Sequence, residues 1–166
     1  MQKTYNDVIG LNNTLANMSR ERWPFGVVLA KNIKYMDKVV IEYNAKREEI
    51  VDKYAKRDEG GKILGIMRDV PGFVPKEGET IPQERVKDPK RIDETEWNDR
   101  ASFDKELFEL NAQSIELDLI PVDVNSVYYS MQANRDMTIR QYLDANTEPG
   151  LMLYLNEFGF FKNMEM

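Results

Sequence analysis

The residues with which this chain could do chemistry are carboxylates, because two commoner reagents are missing. Its 166 residues contain no histidine and no cysteine. That removes the commonest general base, the usual triads, most zinc sites and any disulfide. Three acidic groups remain to be weighed as ligands of a hard metal ion. They are Glu48, Glu49 and Asp52; Asp58 and Glu59; and Glu116, Asp118 and Asp123. Such groups would serve a carboxylate- and metal-dependent hydrolase. None has the alternating spacing of an EF-hand loop. The first is spaced as a solvated helix face, and the second falls at a helix end. Glu116 and Asp118 fit the wet side of a strand. DEGGKILG offers glycines and a lysine but neither a phosphate-binding loop nor a dinucleotide fingerprint. The sequence therefore assigns no catalytic residue, no metal ligand and no cofactor, and it favours a non-catalytic role.

Charge narrows the partners. Residues 1–100 hold 19 basic and 18 acidic side chains, whereas residues 101–166 hold 4 and 11. A net charge of −6 gives no general attraction to nucleic acid. Trp23 beside Arg20 and Arg22, and Tyr35 beside Lys34, read as core aromatics with flanking charge rather than as stacking platforms. No apolar run approaches the ~18 residues that a membrane span requires, and MQKTYNDVIG lacks the pattern of a signal peptide.

The elements that would position these residues are organised around Pro24–Asp58. Leu29, Ile33, Met36, Val40, Tyr43, Arg47, Ile50 and Tyr54 recur at alternating steps of four and three, a heptad stripe along one long helix. Pro24 suits its first turn, and Gly60–Gly61 is expected to end it. Arg47 at a core-type position lays its stem on the seam, or sets register against a partner carboxylate. The stripe faces this chain or a second copy, so a homo-oligomer is one arrangement of it. Ahead of it, Thr4–Met18 reads as a helix with Thr4 and Asp7 as a capping box.

Past the long helix, KILGIM has strand composition. Asp69–Glu96 holds four of the seven prolines and 13 charged residues among 28, too few apolar residues for a core of its own. It reads as an extended arm or insert on a single 1–166 domain, with Phe73 and Ile81 as anchors on a partner. Glu96–Ala112 reads as a helix and IELDLI as a half-buried strand, for which KILGIM is the nearest pairing candidate. Val122–Ala133 and Asp136–Ala145 read as further helices. Gly150–Phe161 closes the core unless its last aromatics, Phe160 and Phe161, are left uncovered as an interaction patch. The fold expected is mainly α with a minor β ribbon (α+β), a long central helix packed by shorter helices.

The order of parts carries one likeness. A short helix precedes PFGVVLAKNIKYMDKVVIEYNAKREEIVDKYAKRDEGGKI, and a charged segment separates it from FDKELFELNAQSIELDLIPVD. This resembles small proteins of uncharacterised function encoded by tailed bacteriophages and prophages, over most of the chain outside Asp69–Glu96. The resemblance implies a virion component or an assembly accessory that works through other phage proteins, in the host cytoplasm during assembly or in the virion. A phage-encoded inhibitor or regulator of a host protein is the alternative.

Overall fold

The computed structural model describes residues 1–165. In chain order its elements are β1 (Gln2–Thr4), α1 (Tyr5–Met18), α2 (Gly26–Tyr54), β2 (Met67–Asp69), β3 (Gln83–Arg85) and a 3-10 turn at Ile92–Glu94. Then follow α3 (Arg100–Ala112), β4 (Ser114–Glu116), β5 (Val122–Asp123), β6 (Val127–Ser130), β7 (Arg135–Thr138), α4 (Ile139–Asn146), α5 (Pro149–Glu157) and β8 (Phe161–Lys162). The class is α+β, with five helices and four two-stranded sheets among the described residues. The chain divides into two compact units, Met1–Asn44 with Asn111–Met166, and Ala45–Leu110. The residues of α2 up to Asn44 belong to the first unit and those from Ala45 to the second.

In the first unit, α1 begins at the capping box read from the sequence. Thr4 Oγ1 accepts from the Asp7 N–H at 3.2 Å, and Asp7 returns a bond from the Thr4 N–H at 3.0 Å. Its inward face is Tyr5, Val8, Leu11, Leu15 and Met18, all buried. Val8, Leu11, Leu15 and Met18 join Leu29 and Met36 of α2 with Leu143, Leu155, Phe158 and Phe160 in one apolar cluster. The heptad stripe is covered along its length: Leu29 and Met36 are buried, and Ile33, Val40, Tyr43, Arg47, Ile50 and Tyr54 half-buried.

IELDLI does alternate, with Leu117 buried and Glu116 and Asp118 exposed. Its partner is not KILGIM. β4 pairs antiparallel with β1, Lys3 opposite Ile115. Beyond β4, side chains of α2 stand in for a neighbouring strand. Tyr35 Oη lies 3.3 Å from both the Glu116 carbonyl and the Asp118 N–H, while buried Asn32 donates to the Ile120 carbonyl (2.9 Å) and accepts its N–H (2.8 Å). One turn of helix thus satisfies alternate peptides of an extended chain.

The expected helix at Val122–Ala133 is absent. β5 pairs parallel with β8, and β6 with β7 forms an antiparallel hairpin through Tyr128 and Met137. Val127, Tyr128 and Met131 fit helical spacing as well as strand alternation, but Val127 and Met131 are 65% and 84% exposed while Tyr128 turns inward. Asn134, at φ +50°, turns the chain, a conformation asparagine tolerates. Residues 135–138 are consequently strand, and α4 starts only at Ile139, behind a second capping box made by Thr138 and Gln141.

In the second unit, α2 stops at Tyr54, ahead of Gly60–Gly61. The Ala55 backbone leaves the helix to bridge Trp97, and Gly61, at φ +81°, serves instead in the turn that brings Arg57 opposite Ile63. Three segments close on one another through main-chain bonds. Lys56 N–H donates to the Glu96 carbonyl, Glu96 N–H to Leu64, and Leu64 N–H to Lys56, at 2.9, 2.9 and 2.8 Å. KILGIM is the middle member of this knot, and Glu96–Trp97 are extended rather than helical. α3 accordingly begins at Arg100, behind Asp99, which accepts from the Ser102 N–H and hydroxyl. Trp97 stacks on buried Phe103 with ring centres 3.9 Å apart.

Candidate contact site: an exposed arm and a basic cleft in the second unit

Asp69–Glu96 is ordered in two different ways. Its ends belong to the body of the unit. Val86 is buried against Gly65, where an added Cβ would lie 2.2 Å from the Val86 carbonyl oxygen, and Thr95 is buried opposite Gly65. Arg85 ties the two together, donating to the Gly65 carbonyl at 2.7 Å and to Glu96 at 2.6 Å, and Lys56 reaches the other Glu96 oxygen at 2.7 Å. Those two cations hold the Glu96 carboxyl below its ordinary range, Lys56 contributing most.

Between these ends a hairpin projects. β2 and β3 pair antiparallel, Arg68 opposite Glu84, and the Val70 N–H adds one more bond to Pro82. From Pro71 to Gln83 every residue is exposed. Gly72 and Gly78 take φ of +76° and +83°, so the tip is built from turns rather than from packing. Phe73 and Ile81, read from the sequence as anchors, are 40% and 39% exposed, and Val74 is 83% exposed. With Met67 at the arm's root, they place four large apolar side chains in water on one short excursion.

Arg47, the third residue singled out from the sequence, lines a separate cleft of about 310 Å³. α2 supplies Arg47, Glu48, Val51 and Asp52; Pro89–Ile92 supplies the facing wall; Ile63, Thr95 and Trp97 complete the lining. Trp97 is fixed by its stack on Phe103 and by donating Nε1–H to the Ile92 carbonyl at 3.1 Å. The Asp52 carboxylate is taken by Arg57. Lys53 and Lys56 reach across the unit: Lys53 binds Glu106 at 2.5 Å and Lys56 binds Glu96. Tyr54 also donates to Glu106 at 2.6 Å, and Lys53 with Tyr54 depresses the Glu106 carboxyl.

Phe160 and Phe161 are not part of any contact surface. Both are buried, because β8 inserts beside β5 and Phe25 meets each ring edge-on. The acidic groups weighed as metal ligands are dispersed among structural duties. Asp58 accepts the Lys62 N–H, Glu116 binds the Met1 ammonium, and Asp123 accepts from Asn125 N–H and Asn163. No three acidic side chains among the described residues converge as a metal site would need. Nor is any helix of the described residues long and apolar enough to cross a membrane. Sequence reasoning missed Lys90 and Trp97 as cleft residues. They belong to segments 30 or more positions beyond Arg47, and no local spacing relates them.

No family model, curated protein or solved structure matches the chain.

Proposed function

We propose that this chain is a non-catalytic structural or assembly-accessory protein of a tailed phage or prophage, working through protein–protein contacts made by its second unit. The observation that carries the contact role is the arm: Phe73, Val74 and Ile81 stand in solvent on a hairpin whose root is locked to the body by Arg85, Val86 and Glu96. Apolar side chains held out on an ordered excursion gain free energy only when something covers them. The phage setting is supported by the likeness of the α2 and α3–β4 segments to phage-encoded proteins. Other phage proteins are the partners this reading requires, in the host cytoplasm during assembly or in the finished particle.

Mass spectrometry of particles purified from a producing host tests it. Recovery of the chain in particles, or in a complex with particle precursors, is the expected result. Recovery only in a soluble complex with a host protein would replace this reading with the inhibitor alternative. A free chain whose melting temperature rises with magnesium or manganese, with the rise lost in Glu116→Gln or Asp118→Asn, would favour the hydrolase.

A further inference from the structure

We propose that the Arg47 cleft is a receptor for an acidic peptide segment carrying a bulky apolar side chain next to its carboxylates. The proposal rests on the protein-contact reading and names the chemistry of one partner. Three features of the cleft carry it. First, Arg47 is half-buried on α2, and among the described residues no acceptor bonds its guanidinium. A partly desolvated cation of that kind gains most from a carboxylate, which its planar fork holds by two parallel bonds.

Second, the charges that line the cleft leave it open to an anion. Asp52 is occupied by Arg57, so Glu48 is the one lining acid without an ion pair among the described residues. Against it stand Arg47 and Lys90, together with Arg91, whose pairing with Asp93 is exposed on both sides (72% and 66%) and therefore weak. Third, the rest of the lining offers an apolar surface in Val51, Ile63, Ile92 and Trp97, the last held fast by its stack on Phe103. A rigid surface loses little freedom when covered. A volume of about 310 Å³ sits at the lower end of ligand pockets, room for one large side chain rather than a cofactor. A polyanion such as nucleic acid fits less well, because Ala45–Leu110 holds 14 basic and 17 acidic side chains and its overall field repels a long phosphate backbone.

The test is a titration of the full-length, nitrogen-labelled protein at low salt, following the indole N–H signal of Trp97, assigned with Trp97→Phe. The probes are a blocked glutamyl-phenylalanyl-glutamate peptide, its glutaminyl analogue, inorganic phosphate and a short oligothymidylate. Expected are a saturable shift with the acidic peptide, little with the glutaminyl analogue, and a loss of affinity of about tenfold or more in Arg47→Gln. Lys90→Glu, on an exposed side chain, provides the same readout if Arg47→Gln fails to fold. A Trp97 signal unmoved by the acidic peptide, or moved equally by both peptides, overturns the proposal. So does tighter binding of phosphate or oligothymidylate. Failure here with the chain still recovered in phage particles removes the cleft alone; absence from particles removes the reading beneath it.

Discussion

Asn32 shows how much one polar side chain can organise. It is almost wholly buried, on a helix face otherwise apolar, and it acts as a backbone surrogate for Ile120. Replacing it with leucine would leave an N–H and a carbonyl without their partner, so Asn32→Leu should lower stability by about 1–3 kcal/mol in urea denaturation. Asn32→Asp keeps the acceptor but loses the donor and buries a charge, and should be worse at neutral pH. Gly65 makes the matching case in the second unit. Its missing Cβ is space that Val86 fills, so Gly65→Ala should cost at least about 1–3 kcal/mol. Hydrogen exchange should place the loss in residues 55–66 and 86–97. Neither role is legible from sequence, because an asparagine inside a heptad and a glycine inside an apolar run have no local signature. The Thr4–Asp7 capping box was legible, since its chemistry is complete within four residues.

Among the elements, α1 and α2 follow their hydrophobic periodicity, and the alternation of IELDLI correctly assigns Leu117 to the core and Glu116 to water. What failed was pairing and termination. β4 takes β1 as its neighbour, across more than a hundred residues, and α2 ends where Ala55 meets Trp97 rather than at the glycines. Both outcomes are set by contacts between distant segments. The β6–β7 hairpin was misread because Val127, Tyr128 and Met131 satisfy both periods, and the turn at Asn134 lacks the glycine that marks most hairpins. Removing Asp69–Glu96 entire would strip out Val86, Thr95 and Glu96 and should unfold the second unit. Replacing only residues 71–81 with a short glycine-containing turn should leave helical circular dichroism and the cooperative melt unchanged while weakening partner binding. A melt as damaged as that of the full deletion would mean that the tip is structural.

For the whole chain, the absence of histidine from the sequence sets the pH response. Glu96, Glu106 and Asp99 in the second unit are held below the ordinary carboxylate range, by Lys56 and Arg85, by Lys53 and Tyr54, and by Ser102 respectively. Asp7 and Asp123 in the first are lowered by Thr4 and by Asn163. A carboxyl depressed in the folded state binds fewer protons there than in the unfolded chain. Its contribution is complete above the ordinary carboxylate value and disappears as pH falls through the depressed one. Melting temperature should therefore be level between about pH 5 and 7 and fall on further acidification. A transition centred near pH 6 would contradict this.

The central claim is that the solvent-exposed arm is where another protein docks. Site-specific photo-crosslinking from Val74, in the cells that produce the chain, interrogates that contact in place. Crosslinks to one defined protein species are expected from Val74, and none to that species from Ile41, a control residue on α2 that is 68% exposed. No adduct from Val74, or the same adducts from both positions, would contradict the account.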